Sequence, residues 1–220
     1  MNKAEREILL KEKLIQMKKF ENELYVDGYL AIAGVDEVGR GPLAGPVIAA
    51  CIVLPEDFDV IGVDDSKKLS AKKRDEFFDM IMDKALAVGT GTISHERIDE
   101  VNILNATKEA MVLAYESANK NLIMNYQSEI EYLLTDAVKL KDIRIPQKNI
   151  IKGDEQSVSI AAASIISKVT RDRIMIEMDS LYPGYDFASN KGYGTKRHYD
   201  GLHKLGICPI HRKTFLKSLL

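Results

Sequence analysis

The stretch that most constrains the fold is residues 31–55, in which two apolar runs flank a short polar centre. One run ends at Asp36 and the other extends from Val47 to Leu54. Both are short, rich in Ile, Val and Ala and bounded by Gly and Pro, which predicts two buried β-strands. Asp36 and Glu37 interrupt the first run. Because a buried carboxylate costs free energy unless it is paired, exposed or bound to a metal, the two acids indicate a functional site more than a solvated strand end.

The turn between the two runs is rich in glycine and proline. Gly39 and Gly41 lack side chains, so a bound group can approach the backbone closely. Pro42 and Pro46 stiffen the same segment and favour extended conformations in the residues before them. The Gly39-Arg40-Gly41 run is therefore a candidate binding turn.

The rest of the chain alternates helical and extended patterns. An antiparallel opening followed by strands that alternate with helices predicts an α/β fold with a mixed central β-sheet flanked by helices. The predicted helices are residues 3–24, 71–85, 102–120, 156–178 and 195–206; the further strands are residues 86–93, 132–135 and 149–151; and residues 182–193 form a loop.

A chain of 220 residues can bury a substantial core as one domain. We expect residues 1–27 to form an N-terminal helical extension and residues 28–220 to form the main domain. For the extension, packing on the surface of the domain is favoured over a separate functional arm.

Composition is that of a globular protein, with 45% hydrophobic and 29% charged residues. No apolar run reaches the roughly 18 residues of a membrane span, the N-terminus alternates charges, and two cysteines make no disulfide framework; we expect a cytoplasmic location.

The net charge of −2 does not indicate a nucleic-acid partner, but residues 139–220 hold 15 Lys and Arg against 8 Asp and Glu. This asymmetry suits an acidic metal centre beside a basic phosphate-binding surface.

Two further acids follow predicted strands. Asp136 ends the strand at 132–135, and Asp154 follows the strand at 149–151. Neighbouring strand ends would bring both to Asp36 and Glu37 in one cleft. Alternatively, Asp136 is a lone strand-end acid and Asp154 caps a helix. Four carboxylates that share a cleft need cations, and oxygen ligands without Cys or His favour Mg²⁺ or Mn²⁺ in a two-metal site.

Asp36 and Glu37 pose a geometric problem, because consecutive strand residues point to opposite faces of a sheet. Either the strand kinks before Gly39, or Glu37 approaches a metal from its edge. The sequence leaves both arrangements open.

One face of the 156–178 helix combines small residues with cations, which suits a helix that lies along a phosphate backbone. A solvated outer face is the alternative. Lys67, in the polar loop at 64–70, is a second candidate phosphate contact. The residues of the helix face are Ser157, Ala161, Ser164, Lys168 and Arg171.

The histidines form no recognisable set with a nucleophile, and we expect each to be a surface or structural residue. The run His211-Arg212-Lys213 is a candidate part of the basic surface. The other histidines are His95, His198 and His203.

Four stretches resemble the type 2 ribonucleases H, the ribonuclease HII family: GVDEVGRGPLAGPV at 34–47, LLTDA at 133–137, KGDEQSVSIAAASIISKVTRDR at 152–173 and KGYGTKRH at 191–198. The resemblance extends from about residue 30 to the end. It implies a ribonuclease H-like catalytic domain with additional C-terminal helices. It also implies an endoribonuclease that hydrolyses the RNA strand of RNA–DNA hybrids and incises duplex DNA 5′ of embedded single ribonucleotides, leaving 3′-hydroxyl and 5′-phosphate ends.

The same resemblance assigns roles to residues. It implies that Asp36, Glu37, Asp136 and Asp154 hold two metal ions, that the 156–178 helix contacts the substrate, and that the Gly39-Arg40-Gly41 turn and Tyr193 contact the ribonucleotide. A core aromatic residue is the alternative for Tyr193. We expect a monomer whose partners are RNA–DNA hybrids and ribonucleotide-containing duplex DNA. The rival functions are a ribonuclease HIII-like enzyme with a different junction preference and a catalytically idle nucleic-acid-binding relative.

Overall fold

A five-stranded mixed sheet forms the centre of the computed structural model, which describes residues 2–217. The strands lie in the order β3-β2-β1-β4-β5. β2 is antiparallel to β1 and β3, whereas β1, β4 and β5 are parallel. The mixed sheet is the one that the sequence predicts. The strands are β1 (Ile32–Val38), β2 (Val47–Val53), β3 (Ala87–Ile93), β4 (Tyr132–Asp136) and β5 (Gln147–Ile150).

Helices cover both faces of this sheet. Within residues 2–217, none is both long enough and apolar enough to cross a membrane. The helices are α1 (Lys3–Met17), α2 (Lys19–Val26), α3 (Ala71–Lys84), α4 (His95–Tyr126), α5 (Gly153–Gln156), α6 (Val158–Leu181), α7 (Phe187–Asn190) and α8 (Lys196–Leu205), with 3₁₀ turns at Ser66–Lys68 and Lys213–Phe215.

Alternation along the strands divides the core between two helices. Val35 and Cys51 face α4, whereas Ile52 faces α6. At Gly34, an added Cβ would overlap the backbone of Ser159 at the start of α6. Only glycine therefore allows α6 to lie this close to β1, at the end of the sheet that carries the acids.

Three predicted helices differ in their bounds, each for a local reason. The chain breaks at Lys18, which separates α1 from α2. Ser157 is extended, and its hydroxyl caps α6 by accepting a hydrogen bond from the backbone N–H of Ile160, so α5 and α6 are separate helices. α4 begins at His95, earlier than predicted, and bends at Asn102, where φ is 68°. The predicted loop at 182–193 also contains the short helix α7.

The N-terminal helices are packed into the domain. Leu14 and Met17 are buried in the core between the sheet and α6. Glu21 is buried at the start of α6, where one carboxylate oxygen accepts hydrogen bonds from the hydroxyls of Ser157 and Ser159, both at 2.6 Å, and from the Ser159 N–H at 3.1 Å. The division at residue 27 stays a prediction, but these contacts join the extension to the core.

This attachment leads to a stability prediction. Glu21→Ala leaves three buried donors without their acceptor, so the free energy of unfolding should fall by roughly 1–3 kcal/mol. Urea unfolding followed by circular dichroism measures the change. The matched control is Glu23→Ala, since Glu23 is exposed and lies 3.8 Å from Lys148; it should cost less than about 0.5 kcal/mol. Equal losses in the two variants would contradict the anchoring role of Glu21.

Candidate active site

Asp36 and Asp136 lie side by side at the same end of the sheet. The parallel strands β1 and β4 pair through Val35 and Thr135, and the two aspartates come next on each strand. Strand side chains alternate between faces, so both aspartates lie on the α6 side, two residues beyond Gly34 and Leu134. Asp36 is 5% exposed. The fold therefore brings these two predicted site residues together.

Asp154 reaches the same place from a helix. β5 ends at Ile150, and the chain turns through Lys152, whose φ is 55°, into α5. A carboxylate oxygen of Asp136 accepts a hydrogen bond from the Gly153 N–H at 2.9 Å, which ties α5 to the end of β4. The alternative interpretation of Asp154 as a helix cap is wrong, because Ser157 caps α6 and no side chain caps α5.

Glu37 approaches from the other side of the strand. β1 stays regular beyond Asp36, since Glu37 pairs with Ala49 and Val38 pairs with Ile48. The kink is therefore absent from β1, and approach to a metal from the edge stays the prediction for Glu37. Its carboxylate lies 3.2 Å from Nη1 of Arg40.

Burial and like charge together make the ionised form of this cluster costly. Burial raises the pKa of Asp36 well above its usual value, and the charges of Glu37 and Asp136 raise it further. Burial also raises the pKa of Glu37, with Arg40 opposing the shift and Asp136 adding to it. Burial, then Asp65 and Asp136, raise the pKa of Asp154. The four predicted carboxylates thus form one electrostatic cluster that positive charge would stabilise.

Asp65 is a fifth acid that the sequence analysis missed. It is buried, and its side chain accepts a hydrogen bond from the Lys67 N–H at 2.9 Å. The Lys67 ammonium lies 3.3 Å from Asp154 and 4.0 Å from Asp65, although 76% of the Lys67 side chain is exposed. The sequence signal that could have found it is the pair of adjacent acids, Asp64 and Asp65, just before the predicted phosphate contact Lys67. Lys67 is therefore at the site, where it compensates part of the negative charge.

The donor set fits a hard divalent cation, because all its ligand atoms are carboxylate oxygens. Over residues 2–217, however, no three Asp, Glu, His or Cys side chains are arranged to surround a metal ion. Two of the carboxylates are engaged in salt bridges, Glu37 with Arg40 and Asp154 with Lys67. The residues that could hold a cation, after side-chain rotation, are Asp36, Glu37, Asp136 and Asp154.

The glycine-rich turn lies beside Tyr193. A Cβ added at Gly41 would stand 3.5 Å from Cε1 of the Tyr193 ring. Gly39 has a φ of +94°, and a Cβ there would also overlap Arg171. Tyr193 is 42% exposed, so the alternative of a core aromatic residue is wrong. The turn and this tyrosine form one surface, which the sequence could only suggest.

Arg171 is not on an exposed phosphate-binding face, and that prediction is wrong. Its guanidinium is fully buried and donates hydrogen bonds to the carbonyl oxygens of Pro46 at 2.9 Å, Lys191 at 2.8 Å and Ala44 at 3.1 Å. Burial lowers its pKa to about 10. Arg171 therefore joins the glycine-rich turn to the loop that carries Tyr193.

A second buried arginine, Arg212, binds the same turn. Arg212 donates hydrogen bonds to the carbonyl oxygens of Gly39 at 2.6 Å, Arg40 at 3.1 Å, Gly45 at 2.8 Å and Pro46 at 3.1 Å. Burial, and then the charge of Arg171, lower its pKa to about 9. Neither arginine forms a salt bridge with a carboxylate in the described part of the chain.

The prediction that His211-Arg212-Lys213 lies on the basic surface is therefore wrong for its first two residues. His211 and Arg212 are fully buried, and only Lys213 is exposed. The local sequence shows only a basic run. The hydrogen-bond acceptors of Arg212 are backbone carbonyls about 170 residues away in the sequence, and no side-chain pattern predicts them.

The remaining residues of the predicted helix face are also largely covered. Ser164 is buried, its hydroxyl lies 2.9 Å from that of Ser66, and it lowers the pKa of Asp36. Lys168 is half-buried and forms a salt bridge of 2.7 Å with Asp172. The prediction that this helix face contacts phosphates along its whole length is therefore wrong, because most of the face is not exposed. The buried residues are Ser157, Ala161, Ser164 and Arg171.

Comparisons with known proteins identify the family and the fold. Residues 33–218 match the family model described as Ribonuclease HII. Ribonuclease HII of Listeria innocua is 54% identical over 213 residues, which are 97% of this chain and 78% of that relative. The crystal structure of ribonuclease H2 from Pyrococcus horikoshii has a TM-score of 0.69 at 27% identity, covering 84% of this chain and 93% of that one. Bst-RNase HIII in complex with Mn²⁺ has a similar fold, with a TM-score of 0.60 at 19% identity over 80% of this chain and 70% of that one. The expected ribonuclease H-like fold is confirmed.

The electrostatic cluster leads to a pH prediction for the metal-free protein. Carboxyls whose pKa is raised by folding stabilise the protein at acid pH and lose that contribution as pH rises through their folded pKa. Asp136→Asn removes a charge that raises the pKa of Asp36, Glu37 and Asp154, while its amide oxygen can still accept the Gly153 hydrogen bond. In EDTA at pH 8, the variant should be more stable than the parent by on the order of 1 kcal/mol.

Urea unfolding at pH 8 and pH 5 measures this gain, which should shrink at the lower pH as the carboxyls protonate. Asp142→Asn is the control, because Asp142 is exposed and should give no pH-dependent gain. A variant that is less stable than the parent at both pH values would contradict the repulsion.

Proposed function

The chain belongs to the ribonuclease HII family and hydrolyses the RNA strand of RNA–DNA hybrids. We propose that four acids are its catalytic carboxylates: Asp36, Glu37, Asp136 and Asp154. The observation that carries this proposal is that the four acids, from two strands and a helix, share one electrostatic cluster at the end of the sheet. A fold has little reason to assemble buried like charges unless a cation or substrate offsets them.

Ribonucleases H depend on divalent metal ions, and the related Bst-RNase HIII has been crystallised with Mn²⁺. We propose a site for two ions, Mg²⁺ or Mn²⁺, held by the four carboxylates. Such ions activate an attacking water and stabilise the leaving oxygen in an in-line displacement at phosphorus. The all-oxygen donor set supports this choice over zinc.

The chain's own cations hold the site until the ions bind. Lys67 lies against Asp154, and Arg40 lies against Glu37. We propose that Asp154 would hold a cation in place of Lys67, whose exposed ammonium would then be free to contact a substrate phosphate. The same exchange frees Arg40 for the nucleic-acid backbone.

Recognition of the ribonucleotide is assigned to the glycine-rich turn and Tyr193. The 2′-oxygen distinguishes RNA from DNA, and reading it requires polar groups within hydrogen-bond reach. Gly41 is exposed and leaves the backbone of the turn accessible on its outer side, where the half-exposed ring of Tyr193 stands beside it; Gly39 is buried, and its missing side chain makes room for Arg171. This arrangement supports incision of duplex DNA 5′ of a single embedded ribonucleotide, which leaves 3′-hydroxyl and 5′-phosphate ends.

The predicted substrate contacts on α6 take different roles in this proposal. Arg171 positions the turn, and Ser164 stabilises Asp36. Lys168 stays a candidate phosphate contact, although its ammonium must first leave Asp172. We propose a monomer that binds RNA–DNA hybrids and ribonucleotide-containing duplex DNA.

The rival functions have less support. The match to ribonuclease HIII rests on fold at 19% identity, whereas the ribonuclease HII model matches residues 33–218. A catalytically idle relative would not need four intact acids in one cluster. Cleavage of a duplex with a single ribonucleotide, with Mg²⁺ and then with EDTA, separates these functions: loss of cleavage in EDTA supports the proposal, and no cleavage under either condition contradicts it.

Tyr193 provides the test of ribonucleotide recognition. Tyr193→Ala should keep the fold and lower kcat/KM for incision at a single embedded ribonucleotide by roughly 5- to 150-fold, the effect of losing one good contact with the reacting unit. Tyr193→Phe separates the contributions: near-parental activity means that ring packing dominates, and a large loss means that the hydroxyl does. Tyr126→Ala, an equal truncation at an exposed site, should leave the rate unchanged.

Thermal unfolding of each variant checks that the fold is intact. If folded Tyr193→Ala incises the embedded ribonucleotide at the parental rate, Tyr193 has no part in recognition.

A further inference from the structure

Two buried histidines lie behind Tyr193. His198, in α8, and His211, near the C-terminus, are both fully buried, and their Nε2 atoms are 2.9 Å apart. The rings of Tyr185 and Phe187 surround them at centroid distances of 5.0 Å and 5.2 Å. The sequence analysis expected surface or structural histidines, and nothing in the chemistry of the carboxylate site uses this pair.

The neighbours of the pair fix its protons. A carbonyl oxygen can only accept, so Nδ1 of His198, 2.9 Å from the Tyr193 carbonyl, carries a hydrogen and donates it. Nε2 of a neutral His198 must then accept, and Nε2 of His211 donates to it. Nδ1 of His211 in turn accepts from the Cys208 N–H at 2.8 Å. The hydrogen bonds therefore run in one direction from Cys208 through both rings to Tyr193.

This chain of hydrogen bonds, the relay, ends at Tyr193 on one side and at the His211 segment, through Cys208, on the other. At one end is the backbone of Tyr193. At the other, the segment that carries His211 is bound to the glycine-rich turn: the Gly45 N–H donates to the Ile210 carbonyl at 2.9 Å, and the Arg212 N–H donates to the Leu43 carbonyl at 2.9 Å. The relay thus connects the two halves of the candidate recognition surface from behind.

We propose that His198 and His211 are positioning residues for ribonucleotide recognition, which hold Tyr193 in place against the glycine-rich turn. This inference rests on the proposed role of Tyr193. Histidine suits the task because a neutral imidazole is a rigid ring with one donor and one acceptor on opposite sides. An aliphatic residue would fill the space but leave the Tyr193 carbonyl with one fewer donor.

Burial keeps the relay neutral. It lowers the pKa of His198 and lowers the pKa of His211 to about 4. Protonation of His198 would set two N–H groups against each other across the 2.9 Å contact, and protonation of His211 would set its Nδ1–H against the Cys208 N–H at 2.8 Å. At neutral pH the direction of the hydrogen bonds is therefore fixed, as a positioning role requires.

A double-mutant cycle tests the proposal on the full chain. Asn and Leu have nearly the same size and shape, but only Asn can donate to the Tyr193 carbonyl from the place of Nδ1. His198→Asn and His198→Leu are made with Tyr193 and with Tyr193→Ala, and kcat/KM for incision at a single embedded ribonucleotide is measured for each. With Tyr193 present, His198→Leu should lose about 10-fold, the effect of one hydrogen bond, and His198→Asn should lose less. In the Tyr193→Ala background the two should be equal.

Tyr185→Phe is the matched control, because it removes a hydrogen bond from the same buried cluster, to the Gly206 carbonyl at 2.9 Å, without touching the relay. It should lower the melting temperature and leave kcat/KM unchanged. If the His198 variants unfold below the assay temperature, His211→Gln and His211→Met make the same comparison, since the Gln amide can still donate to His198.

The outcomes separate this proposal from the proposed function. If Tyr193→Ala alone has no effect, the recognition role of Tyr193 fails, and the relay's role fails with it. If Tyr193→Ala lowers the rate but the Leu and Asn variants differ equally in both backgrounds, or not at all, the recognition role stands and the positioning role is refuted.

Discussion

The repulsion among buried carboxylates is the constraint on which the rest of the structure depends. Asp36 is held out of water beside Glu37 and Asp136, and its pKa is raised by both burial and their charge. Strand pairing overcomes this repulsion, because the parallel pairing of β1 and β4 places Asp36 and Asp136 side by side. The sheet is therefore the source of the site's geometry, and charge neutralisation is left to cations.

Two buried arginines organise a second part of the structure, the glycine-rich turn. Arg171 and Arg212 donate to the backbone carbonyls of the glycine-rich turn and hold it from inside the protein. Their donors are used internally, so they shape the turn and do not contact the substrate directly. Because Arg171 also binds the Lys191 carbonyl, the turn and the Tyr193 loop are fixed to each other. The carboxylate cluster and the proposed recognition surface are thus held by two different sets of contacts, which meet at the Glu37–Arg40 salt bridge.

Sequence predicted what local pattern encodes. The apolar runs predicted the strands, and the helical patterns at 71–85 and 195–206 agree with α3 and α8 to within one residue. The four carboxylates could be named, because acids that interrupt or follow apolar strands are costly and the family resemblance covers them. The role of Arg171 could not be predicted, since helical spacing shows which residues share a face and not what covers that face. The His198–His211 contact was equally hidden, because it depends on tertiary packing that no spacing records.

The most direct test of the central claim is a count of the Mn²⁺ ions that the carboxylate cluster holds. Electron paramagnetic resonance of free Mn²⁺ can measure the number bound per chain in complex with a duplex whose single ribonucleotide site is made uncleavable. The account predicts two ions for the parent protein and fewer for Asp136→Asn, with the Asp142→Asn control equal to the parent. Binding that is absent in the parent, or unchanged in Asp136→Asn, would contradict the assignment of these acids as the metal site.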